Sequence, residues 1–406
     1  MKKQYDLVIV GGAMRGCCLA LAIAQHLPEL SIAIIERQKN TPHSPTVASN
    51  VTCGFDARSI ALAQGSCHKL HHIAYNATQS LWQKIEPLAE TISQIHISDQ
   101  GHSGIVDLSA QELNLSRLGV VVELSAMGNI LLEAIAQQPN IDYLAPLTVV
   151  DIQRKESQVL LQLSDHSQLQ TALLVAANGN QSAIAQQCGV VYQTVSDYQQ
   201  SAVIANVKST LAHHGRAFER FTPQGPLALL PLKDGLLSLV WCVKNPDELL
   251  ALDEPHFLQR LQQQFGWRLG RFEQIGKRTA YPLKLQKAES PIHHRLALIG
   301  NAAQTLHPIA GQGFNLGLRD VVCLADVLVD AVRQQQDFGS SAVLQRYQQQ
   351  RQTDQGRIIN LTDGLLSTFA NDLLPFQISR NLGLLTLANA APLRQLFIKP
   401  TLGWLQ

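Results

Sequence analysis

The chain's clearest chemical signal is the run Gly11-Gly12-Ala13-Met14-Arg15-Gly16, which directly follows the apolar stretch Tyr5 to Val10. Aligned on G-x-G-x-x-G, its first and third glycines are Gly11 and Gly16, and Ala13 takes the middle place. The first glycine permits a tight turn, the third permits close packing of helix on strand, and the middle one lets the backbone approach a pyrophosphate. A methyl group at Ala13 is expected to crowd that approach. The N-terminus of the following helix still favours a phosphate through its free N–H groups and its dipole. Glu36 lies 20 residues after Gly16, at the end of a second apolar stretch, Ser31 to Ile35. An acid at that spacing hydrogen-bonds a ribose hydroxyl. Gly12 and Arg37 are counted with this dinucleotide set. Arg15 is read as a surface residue of the helix rather than a phosphate contact.

A second constellation lies near the other end of the chain. Gly300 to Gly317 reads GNAAQTLHPIAGQGFNLG, with four glycines in 18 residues, a short apolar stretch before it and a helical pattern after it. Such a loop places free backbone N–H groups where an anion or a reduced ring system can sit. Gly311 and Gly313 flank Gln312, and Pro308 fixes the loop. His307 reads either as a proton shuttle or as a loop histidine held by hydrogen bonds. A third element is Arg58 in GFDARSIAL, a lone cation that either reaches the bound dinucleotide or pairs with Asp56.

Other chemistries are excluded. The histidine pairs His71–His72, His213–His214 and His293–His294 are adjacent, and neighbours rarely ligate one metal; there is no H-E-x-x-H. No G-x-S-x-G elbow is present. With 32 Lys+Arg against 31 Asp+Glu, the chain has no excess positive charge for nucleic acid. Its 46% apolar content argues against disorder. The charged fraction is 16%, below the roughly 25% that is usual. Seven cysteines without C-x-x-C spacing suit reduced thiols and a cytoplasmic location. No run of 18 apolar residues predicts a membrane-spanning helix.

The elements that position these residues follow from pattern. Tyr5 to Val10 predicts a buried strand, Met14 to Leu27 a helix and Ser31 to Ile35 a second strand, which together form a βαβ unit. Thr41 to Thr52 reads as a loop and Ser59 to Ala74 as a helix. Short strands alternate with turns from Ile92 to Val122, and Asn129 to Gln138 reads as a helix. Thr148 to Leu163 and Leu169 to Ala177 read as a β-meander, and Ser201 to Val243 as a separate antiparallel sheet. Leu258 to Phe265 reads as a helix, Leu296 to Ile299 as a strand and Gln312 to Val332 as a long buried helix. A Gln-rich helical pattern continues from Gln334 to the end.

Taken together, the βαβ start, GFDARSIAL, VVEL at Val121 to Leu124 and GNAAQTLHPIAGQGFNLGLRD resemble the FAD-dependent aromatic hydroxylases of ubiquinone biosynthesis. The match is strongest to the 2-polyprenyl-6-methoxyphenol hydroxylase branch, and RNLGL at Arg380 to Leu384 and TLGW at Thr401 to Trp404 are similar to that branch as well. The resemblance implies an α/β fold like that of p-hydroxybenzoate hydroxylase. A Rossmann-like FAD-binding domain (1–75, 100–185 and 280–335) is interleaved with a mixed β-sheet substrate domain (76–99 and 186–279). C-terminal helices occupy 336–406.

It also implies the chemistry. NAD(P)H reduces FAD, O2 adds to the reduced flavin, and the hydroperoxide delivers one oxygen atom to the ring of a polyprenylated phenol. By the same resemblance, Gly11 and Gly16 hold the phosphates, Glu36 binds ribose and Arg58 contacts FAD near the pyrophosphate. Gly311, Gln312 and Gly313 line the isoalloxazine, with Pro308, His307 and Asn315 beside it. Asn301 takes the place of an Asp that contacts the ribityl chain. Asn178 stands where relatives carry an Asp linked to flavin and pyridine-nucleotide contacts.

Ala13 and Asn178 support an alternative, a family member without catalysis that acts as a scaffold in a quinone-biosynthesis complex. An NAD-dependent dehydrogenase fits Glu36 but leaves the second glycine loop unexplained. A lipid-borne substrate implies contact with a membrane surface. The apolar C-terminal residues Leu384, Leu387, Leu396 and Trp404 read as serving that contact, self-association into a homo-oligomer, or ordinary core packing.

Overall fold

The computed structural model describes residues 2–39, 58–305 and 311–369, with the side chains of Gln312 and 359–369 left aside. The segment 41–52, His307, Pro308 and the apolar C-terminal residues lie outside the described residues.

The first strand, Gln4–Val10, runs parallel to Ile32–Ile35 on one side and to Gln168–Ala176 on the other. Leu7 and Ile9 enter one core cluster, whereas Tyr5, Val8 and Val10 enter another. Because side chains alternate across a strand, a strand buried on both faces reads as an unbroken apolar run. The expected βαβ unit is present, closed by the helix Met14–Ala24. The sheet has eight strands, with Ile141–Leu144 at one edge and Leu296–Leu298 beyond Gln168–Ala176. Its first face is covered by the helices Met14–Ala24, Leu124–Ala136 and Gln312–Arg333. The same sheet continues through the antiparallel meander Val149–Arg154, Val159–Leu163 and Gln168–Ala176, whose apolar side chains join the second core cluster.

A second sheet of nine strands is built around the long strand Tyr192–Ser209, which pairs with Leu236–Val243 and Thr279–Ala288. The helix Glu254–Phe265 lays Phe257, Leu261 and Phe265 against Trp241 and Phe218 on this sheet. Within the nine-stranded sheet, Ile105–Ser109 pairs with Gln94–Asp99 and Thr279–Ala288 with Tyr192–Ser209.

A third sheet of three strands joins Ser59–Ala63, Gly119–Glu123 and Glu90–Ile92. The expected helix from Ser59 to Ala74 is corrected here: it is a strand through Ala63, followed by a helix Gln64–His71. Pairing with Gly119–Glu123 overrides the helical propensity of SIALAQ. Gly119 permits the pairing, because a Cβ there would run into the Leu62 carbonyl. The helix expected from Asn129 begins earlier, at Leu124, with Glu123 as its N-cap residue.

Candidate cofactor site

The first turn leaves the central strand at Gly11, whose φ of +112° suits glycine. A Cβ there would lie 2.6 Å from the Ala177 backbone. Gly12 N–H donates to Glu36 Oε2 (2.8 Å), and Tyr143 Oη donates to the Gly12 carbonyl (3.2 Å). Gly16 is closed against the Gly11 carbonyl, where a Cβ has no room. Gly11 and Gly16 thus require glycine by backbone contact, and a Cβ on Gly12 would meet the end of the Tyr143 side chain. Ala13 is not so constrained: it is exposed, with φ −79° and ψ −173°, extended backbone that alanine adopts freely. Replacing Ala13 with glycine is therefore expected to change FAD affinity by less than about threefold, roughly 0.7 kcal/mol. Fluorescence titration of FAD into the apoprotein checks this, and a larger gain in affinity would show that the methyl crowds the ligand.

Glu36 sits where a ribose acid is expected, and its second oxygen accepts from Gln38 N–H (2.9 Å). Arg37 beside it is exposed. Asn178 is also exposed, and its backbone nitrogen lies against Gly11. Its Oδ1 accepts from Ser182 Oγ at 2.5 Å.

The second turn comes from the far end of the chain. Leu296–Leu298 delivers Gly300 (φ +59°) and the half-exposed Asn301 beside the first turn. Gly311, with φ +62°, is the N-cap residue of the helix Gln312–Arg333. A Cβ on Gly311 would lie 2.9 Å from Ala61 Cβ, so the strand Ser59–Ala63 backs this loop. Asn315 fixes the contact. Its Oδ1 accepts from Ala63 N–H (2.9 Å), and its Nδ2 donates to the carbonyls of Ala61 (3.0 Å) and Gly311 (2.7 Å). Asn315 is 1% exposed. Its amide is spent on protein backbone, which makes it a residue that positions the loop. Gly313 is half-exposed with open space around its Cα.

Arg15 corrects the sequence reading. It is only partly exposed and reaches across to the second turn, where Nη2 donates to the Gly313 carbonyl (2.8 Å). Its guanidinium lies 5.5 Å from the Phe314 ring centroid. The side chain occupies a slot left by two absent Cβ atoms, since a methyl on Gly300 or on Gly317 would collide with its Cδ and Nε. Nε is buried without a hydrogen-bond partner. Burial lowers the guanidinium pKa, and the Asp320 carboxylate opposes that shift.

Behind this slot lies a buried ionic network that the sequence did not disclose. Asp320 is 0% exposed. Its Oδ2 accepts from Gly300 N–H (3.0 Å), and its Oδ1 accepts from Arg351 Nε (2.8 Å) and Gln355 Nε2 (3.1 Å). Arg351 and Arg319 both bind Asp354. Burial disfavours the Arg351 charge, but the Asp320 and Asp354 carboxylates prevail and raise its pKa. This network ties the last described helix, Ser341–Phe369, to the Gly300 turn.

Arg58 is exposed at the edge of the three-stranded sheet, and its Nη1 donates to Tyr281 Oη (3.1 Å) on the nine-stranded sheet. It therefore sits where the three-stranded sheet meets the nine-stranded one. Asp56, its alternative partner, lies outside the described residues.

Two helix N-termini, Met14–Ala24 and Gln312–Arg333, are thus held together by Arg15. Neither has a side-chain cap hydrogen bond, and neither has an acid in its first turn. Free N–H groups and unopposed helix dipoles suit phosphate and an electron-accepting ring. Donors, acid and glycine cradle fit a dinucleotide cofactor.

Fold and site together define a dinucleotide-dependent oxidoreductase. A family model described as FAD binding domain matches residues 4–361, and the chain belongs to this family of FAD-dependent hydroxylases. It is 33% identical to ubiquinone hydroxylase UbiL of Rhodospirillum rubrum, over 100% of this chain and 91% of that protein. It is 30% identical to 3-demethoxyubiquinol 3-hydroxylase of Escherichia coli, over 98% of each chain. In solved structures, p-nitrophenol 4-monooxygenase PnpA of Pseudomonas putida shares the fold, with a TM-score of 0.79 at 17% identity over 99% of each chain. The fold expected from the sequence is the one observed, and FAD is the cofactor.

Proposed function

We propose that this protein is an FAD-dependent monooxygenase that uses NAD(P)H and O2 to hydroxylate the ring of a polyprenylated phenol in ubiquinone biosynthesis. The observation that carries the reading is the paired, uncapped helix N-termini clamped by Arg15, in a chain that matches quinone hydroxylases along its length. The scaffold alternative is not favoured, because Ala13 imposes no backbone strain on the turn and Asn178 keeps its place beside Gly11.

Gly11, Gly12 and Gly16 shape the turn for the pyrophosphate, and Glu36 keeps an acid beside it. Arg58, Asn178 and Asn301 border the same region. Gly311 and Gly313 open the second helix N-terminus toward the ring, with Gln312, Pro308 and His307 in the same loop. When bound, FAD supplies the reduction by pyridine nucleotide and the transfer of one oxygen atom to the phenol. The chain's task is to bind, orient and exclude water. Arg15 adds positive charge beside the second helix N-terminus, where it would favour an anionic group of the bound cofactor.

No helix among the described residues is long and apolar enough to cross a membrane. A polyprenylated substrate then has to be met at a bilayer surface, within or outside a quinone-biosynthesis complex. The test is to purify the protein and supply NAD(P)H, a short-chain prenylphenol and isotopically labelled dioxygen. A yellow protein that places labelled oxygen in the product is expected. A protein that stays colourless with added FAD, or oxidises NAD(P)H without labelling the phenol, would overturn the reading.

A further inference from the structure

Trp267 is 71% exposed, the most exposed large hydrophobic side chain among the described residues, and Leu211 is 54% exposed. They stand on two adjoining loops at one end of the nine-stranded sheet. Leu211 N–H donates to the Leu269 carbonyl (3.1 Å), Thr210 N–H to the Arg271 carbonyl (2.8 Å) and Arg271 N–H to Thr210 Oγ1 (2.8 Å).

The tryptophan is held out on a rigid turn. The helix Glu254–Phe265 ends at Gly266 (φ +88°), and Gly270 N–H closes onto the Trp267 carbonyl (2.9 Å). Gln262 Nε2 bonds the carbonyls of Gly266 (2.6 Å) and Gly270 (3.0 Å) from behind. Phe265 and Leu269 on either side are buried at 1% and 2% exposure, so the chain had apolar cover available and leaves Trp267 outside it.

Charge is the second observation. Residues 207–220 and 259–273 contain six cations (Lys208, Arg216, Arg220, Arg260, Arg268 and Arg271) against two acids (Glu219 and Glu273), in a chain with 32 Lys+Arg and 31 Asp+Glu overall. Lys208, Arg260, Arg268 and Arg271 are exposed and form no ion pair with a described residue. An aromatic and an aliphatic side chain inside a rim with an excess of basic residues match the interfacial zone of an anionic bilayer. There the indole sits at headgroup level and the cations meet lipid phosphates.

We infer that the Leu211 and Trp267 loops dock the protein on an anionic lipid surface. This goes beyond the proposed activity, which supplies only the reason to visit a membrane.

The test is vesicle flotation of the FAD-loaded full chain, with phosphatidylcholine alone and with phosphatidylcholine mixed with phosphatidylglycerol. The wild type is expected to float with the mixed vesicles only, and less so as salt rises. Trp267→Ser, and the pair Arg268→Gln with Arg271→Gln, should each lower partitioning by roughly tenfold. Each variant should keep its flavin spectrum and its turnover of a water-soluble short-chain phenol. A wild type that stays in solution with mixed vesicles would overturn the inference. Loop variants that float like wild type would do so too, as would variants that lose only a protein–protein association. Flotation without turnover in any form would instead sink the proposed activity and leave the docking surface standing.

Discussion

Gly317→Ala should destabilise the protein and weaken FAD binding, against the direction of helix propensity. Gly317 lies in the interior of the helix Gln312–Arg333. There a glycine-to-alanine change ordinarily gains about 1 kcal/mol. Here the added methyl would meet Arg15 at Nε and come within 2.8 Å of its Cδ and Cζ. Arg15 must leave the slot and give up its hydrogen bond to the Gly313 carbonyl. A hydrogen bond from a charged donor is worth about 1.5–3 kcal/mol, so after the propensity gain the net expectation is a loss of about 0.5–2 kcal/mol. FAD affinity should fall about tenfold, because Arg15 joins the first glycine turn to the second by a direct side-chain bond.

The discriminating experiment is a double-mutant cycle. Arg15→Ala should itself weaken FAD, and in that background Gly317→Ala should become neutral or stabilising. Urea melts and FAD titration of the four proteins give the coupling directly. Gly300→Ala is the control. With φ +59° it is strained in either background, so removing Arg15 should rescue it only in part. A Gly317→Ala protein more stable than wild type, with unchanged FAD affinity, would show that Arg15 relocates without consequence.

What could be read from the sequence follows the range of the forces involved. Tyr5 to Val10 was legible as a doubly buried strand because Leu7, Ile9 and their neighbours are apolar on both faces. Gly11, Gly16 and Gly311 were legible because turn geometry and close backbone approach demand glycine locally. Ser59–Ala63 was misread because its pairing partner, Gly119–Glu123, is remote and its own residues favour helix. Arg15 was misread for the same kind of reason: its partner Gly313 lies 298 positions away, and Gly300 and Gly317 show no slot until the chain is folded. Asn315 was placed in the correct loop, but its amide serves strand and loop backbone. Asp320 closes the run GNAAQTLHPIAGQGFNLGLRD, yet its partners Arg351 and Gln355 lie in a Gln-rich segment that reads only as helix.

That position gives the second large expected effect. Asp320→Asn should cost about 3–5 kcal/mol, the range for breaking a buried ion pair by removing one partner. Asparagine keeps the volume but offers one acceptor oxygen, whereas the carboxylate satisfies three donors through two. Either Gly300 N–H or the Arg351 and Gln355 pair is left facing an amide donor. Arg351 also keeps its charge, now compensated by Asp354 alone. Asp354 is nearer the surface, with its side chain 17% exposed, so Asp354→Asn should cost markedly less. Since a folded domain has only about 5–15 kcal/mol in hand, the Asp320 variant should unfold at clearly lower urea. The loss has a direction as well as a size. Hydrogen exchange should rise first in residues 345–358, which the network anchors, and in the Gly300 turn, with a matching fall in FAD affinity. The central strand Gln4–Val10 should keep its protection until global unfolding. If Asp320→Asn melts within about 1 kcal/mol of wild type, the network is dispensable and the last described helix is held by apolar packing through Val343, Leu344 and Tyr347 instead.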